Sequence, residues 1–144
     1  MIFIPSTNQT YVNATSYLTL DEANLIIGSN RDSDHWDTLN DDSKQFILNQ
    51  VSLSVDGLFS YQHNKTDETQ MLKFPRNKSI TIPQQIKYAV CALALSVAKD
   101  EAFKNIKAET IDKMSWQFFK TFNGATDEVM SYLRPLKMKG VKIN

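Results

Sequence analysis

The sequence predicts a mainly α-helical fold: a small bundle of about four helices with a long inter-helix loop, a short β-hairpin and extended termini. Three observations predict it. Apolar residues recur every three or four positions through two long stretches, Ile47–Leu58 and Ile86–Val97. Helix-start signals stand before four segments, at Thr19, Asn40, Pro83 and Thr126. Between the two long stretches lies a polar, turn-rich run, residues 61–82, with no sustained period. At 144 residues the chain suits one domain, long enough for a core of its own but not for two.

Residues 1–18 show no helical period and read as an extended arm. Thr19-Leu20-Asp21-Glu22 is a capping box: the threonine hydroxyl accepts from the backbone three residues on, and the glutamate reaches back. A short helix follows from about Leu20 to Ile27, with Gly28 as its stop. "SNRDSD", residues 29–34, is then a turn. Asn40 is an N-cap for the second helix, with Asp41 and Asp42 near the positive end of its dipole. Ile47, Val51, Val55 and Leu58 are spaced by four, four and three, and Leu48 and Phe59 widen the stripe. This is an amphipathic helix over about 41–60, its last turn weakened by Gly57.

Residues 61–82 read as too polar for a core element, and a connection of that length is usually functional or mobile. Pro75 pushes Phe74 away from helical geometry, so Leu72 and Phe74 can act as an extended clip that pins the loop. Pro83 suits the first position of a third helix, over about 83–103. There Ile86, Val90, Leu93 and Val97 form a stripe, and Ala89, Ala92, Ala94 and Ala98 keep the rest small. A helix apolar on nearly all sides is buried, in its own domain or against a neighbour. Within 104–122, Ile106, Met114, Phe118 and Phe122 fit a helical period imperfectly. Ala108, Thr110 and Asp112, then Trp116 and Phe118, fit a strand pair turned near Asp112-Lys113, and the aromatic enrichment favours that hairpin. Thr126 caps a last helix, "DEVMSYL", which Pro135 ends or kinks. The domain thus runs over 19–136, followed by a basic tail, 137–144, with three lysines and no acid.

Composition excludes several classes. The N-terminus lacks the basic and apolar regions of a secretory signal. The longest apolar run, "YAVCALALSVA", has 11 residues and is too short to span a bilayer. A cytosolic, non-membrane protein is the expectation. The single cysteine, Cys91, rules out an internal disulfide and reads as an unreactive core thiol. Four N-x-[ST] triplets, at Asn8, Asn13, Asn64 and Asn77, carry no meaning without a secretory signal. The zero net charge hides an asymmetry: residues 1–72 carry 3 basic and 10 acidic side chains, residues 73–144 carry 13 and 6. One acidic and one basic half could stack against copies of the chain, or the two could intermix on folding.

No catalytic constellation emerges. The four glycines are too scattered for a phosphate cradle. "DSDHWD" resembles a calcium loop only in Asp32 and Asp34; Trp36 takes a ligand position and Ser43 stands where the bidentate glutamate belongs. His35 and His63 have no partner at zinc-ligand spacing. The carboxylate pairs Asp41/Asp42 and Asp127/Glu128 sit at helix starts, where the dipole explains them. No catalytic, metal or cofactor-binding residue is therefore assigned, no cofactor is expected, and the chain does not read as an enzyme. Nucleic-acid binding has more to recommend it. The basic half interleaves aromatics with cations, Lys73, Phe74, Arg76 and Lys78 in the loop and Lys113, Trp116, Phe118, Phe119 and Lys120 later. Exposed aromatics between cations hold single strands, although zero net charge argues against a dedicated binder.

The order of motifs also resembles a known family. "YLTLDEA" at 17–23 precedes "HWDTL" at 35–39 and "KQFILNQV" at 44–51; a long loop then closes on "LKFPR" at 72–76. "IPQQIKYAVCALAL" at 82–95 and "YLRPL" at 132–136 complete the series. This is similar to the small head–tail connector, adaptor or head-completion proteins of tailed bacteriophages, some of which carry the label DnaT-like single-stranded-DNA-binding protein. Phe74 stands where tryptophan is commoner. The resemblance implies a helical subunit of a virion ring, a dodecamer, at the neck beneath the portal, reached from the host cytoplasm. Packaged DNA passes through the ring, and a downstream tail or stopper protein docks on it. Closed rings need two complementary patches per subunit. The expected contact residues are Lys87, Ala89 and Ala92, with Phe74, Pro75 and Arg76 holding the loop for a neighbour or tail protein. Lys137, Lys139 and Lys142 would lie on a tail that reaches the portal. The alternative is a DnaT-like single-stranded-DNA-binding module.

Overall fold

The computed structural model describes residues 1–100, 103 and 126–139. Among them are five α-helices: α1 (Leu20–Gly28), α2 (Asp34–Asp37), α3 (Asp41–Leu58), α4 (Gln84–Lys99) and α5 (Asp127–Leu133), the last running into a 3₁₀ turn, Arg134–Leu136. The described residues contain only isolated β-bridges, so the mainly helical reading holds. The hairpin expected over 104–122 lies outside the described residues, as do the aromatics Trp116, Phe118 and Phe119 and the tail lysine Lys142.

α4 is the central element. It packs against α1, α2, α3 and α5, because its sequence presents no polar face for most of its length. Ile86, Ala89, Val90, Leu93, Ala94, Val97 and Ala98 are all buried. The apolar surface that could have awaited a neighbour is thus mostly covered by the chain's own helices. Pro83 is the N-cap of α4, one residue earlier than its expected place, and the helix ends at Lys99 because Asp100 is extended.

The capping box forms as read. Thr19 Oγ1 accepts from Glu22 N at 3.1 Å, and Glu22 Oε1 accepts from Thr19 N at 3.1 Å. Thr19→Ala removes one half of this exchange and is expected to lower unfolding stability by about 1 kcal/mol, measured by urea titration. Gly28 is not a left-handed stop. It belongs to the last turn of α1, and Ser29, in right-handed geometry, closes the helix by donating from Oγ to Ile26 O at 2.8 Å. The "HWD" turn is itself a short helix. Its Trp36 is fully buried, with Nε1 donating to Asn24 Oδ1 at 2.9 Å and the Lys44 ammonium 5.7 Å from the ring centroid.

The first eighteen residues fold back on themselves and dock on α3. Thr15 N donates to Ile4 O and Ser6 N to Ser16 O, both at 2.8 Å. Asn49 on α3 joins both limbs, accepting from Thr15 Oγ1 and donating to Ile2 O, again at 2.8 Å. Ala14, Tyr17 and Leu18 enter the core. The start of the basic tail is also tied down: Met138 N donates to Ser60 O at 2.7 Å and Gln62 N to Leu136 O at 3.0 Å.

The acidic and basic halves partly intermix. Glu22 pairs with Lys87 at 2.5 Å and Asp32 with Lys99 at 3.1 Å, so α1 and the turn after it neutralise two lysines of α4. Burial would raise the Glu22 carboxyl, but the Lys87 ammonium and the Thr19 groups outweigh it and hold it below its ordinary value.

Candidate assembly surface

The loop 61–82 is a larger part of the core than its polarity suggests. Tyr61, Gln70, Leu72, Phe74 and Pro75 are all buried. Gln70 behaves as an internal brace: its Nε2 donates to Leu72 O at 2.9 Å and Pro75 O at 3.0 Å, and its Oε1 accepts from Asp67 N at 3.1 Å. Leu72 and Phe74 do pin the loop, as expected. The Phe74–Pro75 peptide is cis.

Asp56, on the inner face of α3, anchors that pin. Tyr17 donates its hydroxyl to Asp56 Oδ1, Lys73 N donates to Asp56 Oδ2 at 3.0 Å, and Phe74 N donates to the Tyr17 oxygen at 3.1 Å. Arm, helix and loop therefore meet at one carboxylate. Burial raises the Asp56 carboxyl above its ordinary value, against the lowering effect of the Tyr17 hydrogen bond and the Lys73 amide. Burial, then the nearby Asp56 charge, also raises the hydroxyls of Tyr17 and Tyr61. Phe74 sits edge-on to both tyrosines, 6.2 Å from Tyr17 and 4.9 Å from Tyr61 between centroids.

Arg76 closes the loop from outside. Its Nε donates to Gln62 O at 2.8 Å, one terminal nitrogen to Lys73 O at 3.1 Å, and the other to Tyr61 O at 3.2 Å and to His63 O. A guanidinium is the one side chain with enough fixed donors to tie this many carbonyls together. Its carbon lies 5.9 Å from the Phe74 ring centroid. The aromatic–cation interleaving seen in the sequence is here an internal stack: Phe74 is 4% and Tyr61 2% exposed, so neither offers a face to a base.

Among the described residues, two cavities open to the surface. The first is a cavity of about 280 Å³ between α1, α4 and α5, with walls from Ile26, Tyr88, Ala92, Leu95 and Tyr132 and with Cys91 at its floor. Tyr88, in its wall, is 40% exposed, and Leu25, on the outer face of α1, is 79% exposed. Burial, then the charge of Glu22, pushes the Cys91 thiol up to about 12, which fits the expectation of an unreactive thiol. The second lies around Arg76, a cavity of about 240 Å³ lined by Gln62, His63, Asn77, Ser79 and Leu136, with no carboxylate among its described walls. Nearby, Met138 is 49% exposed between Lys137 and Lys139, themselves exposed.

The predicted contact residues separate accordingly. Ala89 is fully covered by the chain's own core and cannot touch a neighbour, a correction to its expected place at a contact. Phe74 and Pro75 are likewise internal, and Arg76 is engaged with carbonyls, so these three shape the loop from within. Lys87 is half-buried in its pair with Glu22. Ala92 reaches the α1/α4/α5 cavity and Arg76 borders the second one, while Lys137 and Lys139 of the tail are exposed. Sequence reasoning missed Leu25, Tyr88 and Tyr132. A weak signal existed for Leu25, which shares a helix face with Asp21, four residues earlier, on the side opposite buried Ala23 and Ile27.

No helix among the described residues is long and apolar enough to cross a membrane, and no group of three His, Cys, Asp or Glu side chains among them could hold a metal ion. Neither a curated protein nor a solved structure matches the chain. One family profile does, described as "Putative DnaT-like ssDNA binding protein", over residues 1–143. That match takes in the docked arm, all five described helices and the braced loop together. The chain belongs to this DnaT-like family.

Proposed function

We propose that this protein is a non-enzymatic assembly subunit, a head–tail adaptor that forms a ring between portal and tail of a phage particle and lets DNA pass through its lumen. The observation that carries the reading is the pair of unlike open surfaces on one rigid subunit. One is the α1/α4/α5 cavity, where Tyr88, Ala92, Leu95 and Tyr132 meet the polar Ser29, Asn30 and Glu128; the other is basic, around Lys137, Met138 and Lys139. A ring of identical subunits needs two different patches that fit each other. The Asp56 and Arg76 networks, which fix the loop, and the bonds from Ser60 and Gln62 to the start of the tail support it, because order present before any partner arrives lowers the ordering cost of association. The motif order from "YLTLDEA" to "YLRPL" supplies the phage context. Incubating the purified protein with portal rings and measuring size by sedimentation tests it. Co-sedimentation as rings is expected; a chain that stays monomeric beside portal would remove the reading.

A second reading, binding of single-stranded DNA, is favoured by the family description and by the carboxylate-free cavity at Arg76 with exposed Lys78 at its edge. Against it stand the buried faces of Phe74 and Tyr61. Titration against an oligonucleotide at two salt concentrations separates the two. A binder loses affinity with a log–log slope of about 0.7 per phosphate contacted. The adaptor reading expects weak binding with a slope near that of one contact.

A further inference from the structure

We propose that copies of this chain join by seating Met138 of one copy in the α1/α4/α5 cavity of the next, with the cations around Met138 meeting Glu128 at the cavity. The proposal rests on the ring reading above and names its contact.

Chemistry on the two sides is complementary. The cavity, about 280 Å³, has apolar walls from Ile26, Tyr88, Ala92, Leu95 and Tyr132, and Ser29, Asn30 and Glu128 give it a polar side. Tyr88 and Tyr132, both in those walls, lie 5.6 Å apart between centroids and tilt by 49°. A thioether against aromatic edges is a favourable contact, and methionine adapts to irregular gaps. One carboxylate lines the cavity, that of the exposed Glu128, with Asp127 beside it in sequence at the start of α5. The lysine nearest on α4, Lys87, is paired with Glu22, and Lys99 is paired with Asp32 beyond the Ser29 end, where Arg31 also lies.

On the other side, residues 129–139 carry Arg134, Lys137 and Lys139 and no acid, and all three are exposed. Met138 stands among them, 49% exposed, on backbone held to Ser60 at 2.7 Å. Lys137 is drawn along the body, its ammonium 5.4 Å from the Phe59 ring centroid. With its backbone already held, insertion orders the side chain alone and no further backbone. The contact is heterologous, because the knob and the hole are different surfaces, and such contacts propagate from copy to copy. Apolar insertion supplies the anchor, and the rim charges set partner and register.

The test uses the full chain with Met138 replaced by the photoreactive p-benzoylphenylalanine, irradiated alone and on portal rings. A ladder of cross-linked dimers, trimers and higher species is expected, with the cross-link mapped by mass spectrometry to the cavity segments 88–95 or 128–132. In parallel, Glu128→Lys should weaken self-association by roughly five- to tenfold, and Lys139→Glu in the same chain should restore most of it. A ladder that maps elsewhere overturns this contact and leaves the ring standing. No ladder, with self-association still seen by sedimentation, does the same. No ladder and no assembly on portal overturns contact and ring together. Cross-linking to portal alone would assign the Met138 surface to the portal and also overturn the contact.

Discussion

Phe74→Ala will lower the unfolding free energy by roughly 3–5 kcal/mol, the range for truncating a large buried aromatic. The ring is 4% exposed and lies between Tyr17, Tyr61 and the Arg76 guanidinium. Removing it leaves a void where three segments meet: the N-terminal arm through Tyr17, the loop start through Tyr61, and the loop end through Arg76. These elements are far apart in sequence, so none can follow another inward without breaking hydrogen bonds to Asp56 or to the loop carbonyls. The site therefore relaxes poorly, which places the effect toward the upper part of the range. The resemblance had cast Phe74 as a residue that serves a neighbour or tail protein, with no such part in the core. Burial overturns that expectation. Urea titration checks it: a change below about 1 kcal/mol would mean that Phe74 is a surface residue in solution.

That reversal marks the boundary of what was legible. Helices α1, α3, α4 and α5 were readable because their signals are local: Thr19 with Glu22, Asn40 with Ser43, and Thr126 with Val129 lie three residues apart, and the apolar stripes have one period. α2 was not, since four residues are too few to show a period. The core role of the loop was hidden because Gln70, Lys73 and Arg76 look solvated until their hydrogen-bond partners are known. Asp56 was visible only as an oddity, a carboxylate four residues beyond Ser52 and eight beyond Leu48, on the buried side of α3. Its partner Tyr17 is 39 residues away, and no spacing rule reaches that far. The candidate contact surface was harder still. An exposed Leu25 and a buried Ala23 look alike in a list of apolar residues, and only packing separates them.

Preformed order has a functional consequence for the assembly reading. A loop braced at Gln70, Asp56 and Arg76 and a tail fixed at Ser60 present their outer surfaces at defined positions in a single chain. Association then draws on surface fit with little folding of the described parts, so it should show a small heat-capacity change relative to coupled folding.

The second large effect is expected at Asp56. Asp56→Ala leaves the Tyr17 hydroxyl and the Lys73 amide without their acceptor, at about 1–3 kcal/mol for each buried donor. Asp56→Asn keeps one acceptor oxygen and should lose less. The two variants together separate lost hydrogen bonding from lost charge. The pH dependence carries a definite sign. Because burial raises the Asp56 carboxyl in the folded chain, the unfolded chain gives up this proton first as pH rises from about 4, the ordinary carboxyl value. The unfolded state then binds fewer protons than the folded one, and stability declines with pH until the folded carboxyl has also ionised. Wild type should therefore hold its largest margin over Asp56→Asn below about pH 4 and a smaller, constant margin above the folded value. Other carboxylates titrate alike in both proteins, so the difference between the two urea-derived curves isolates Asp56. A margin that grows from acid to neutral pH would mean that Tyr17 and Lys73 stabilise the carboxylate by more than burial penalises it.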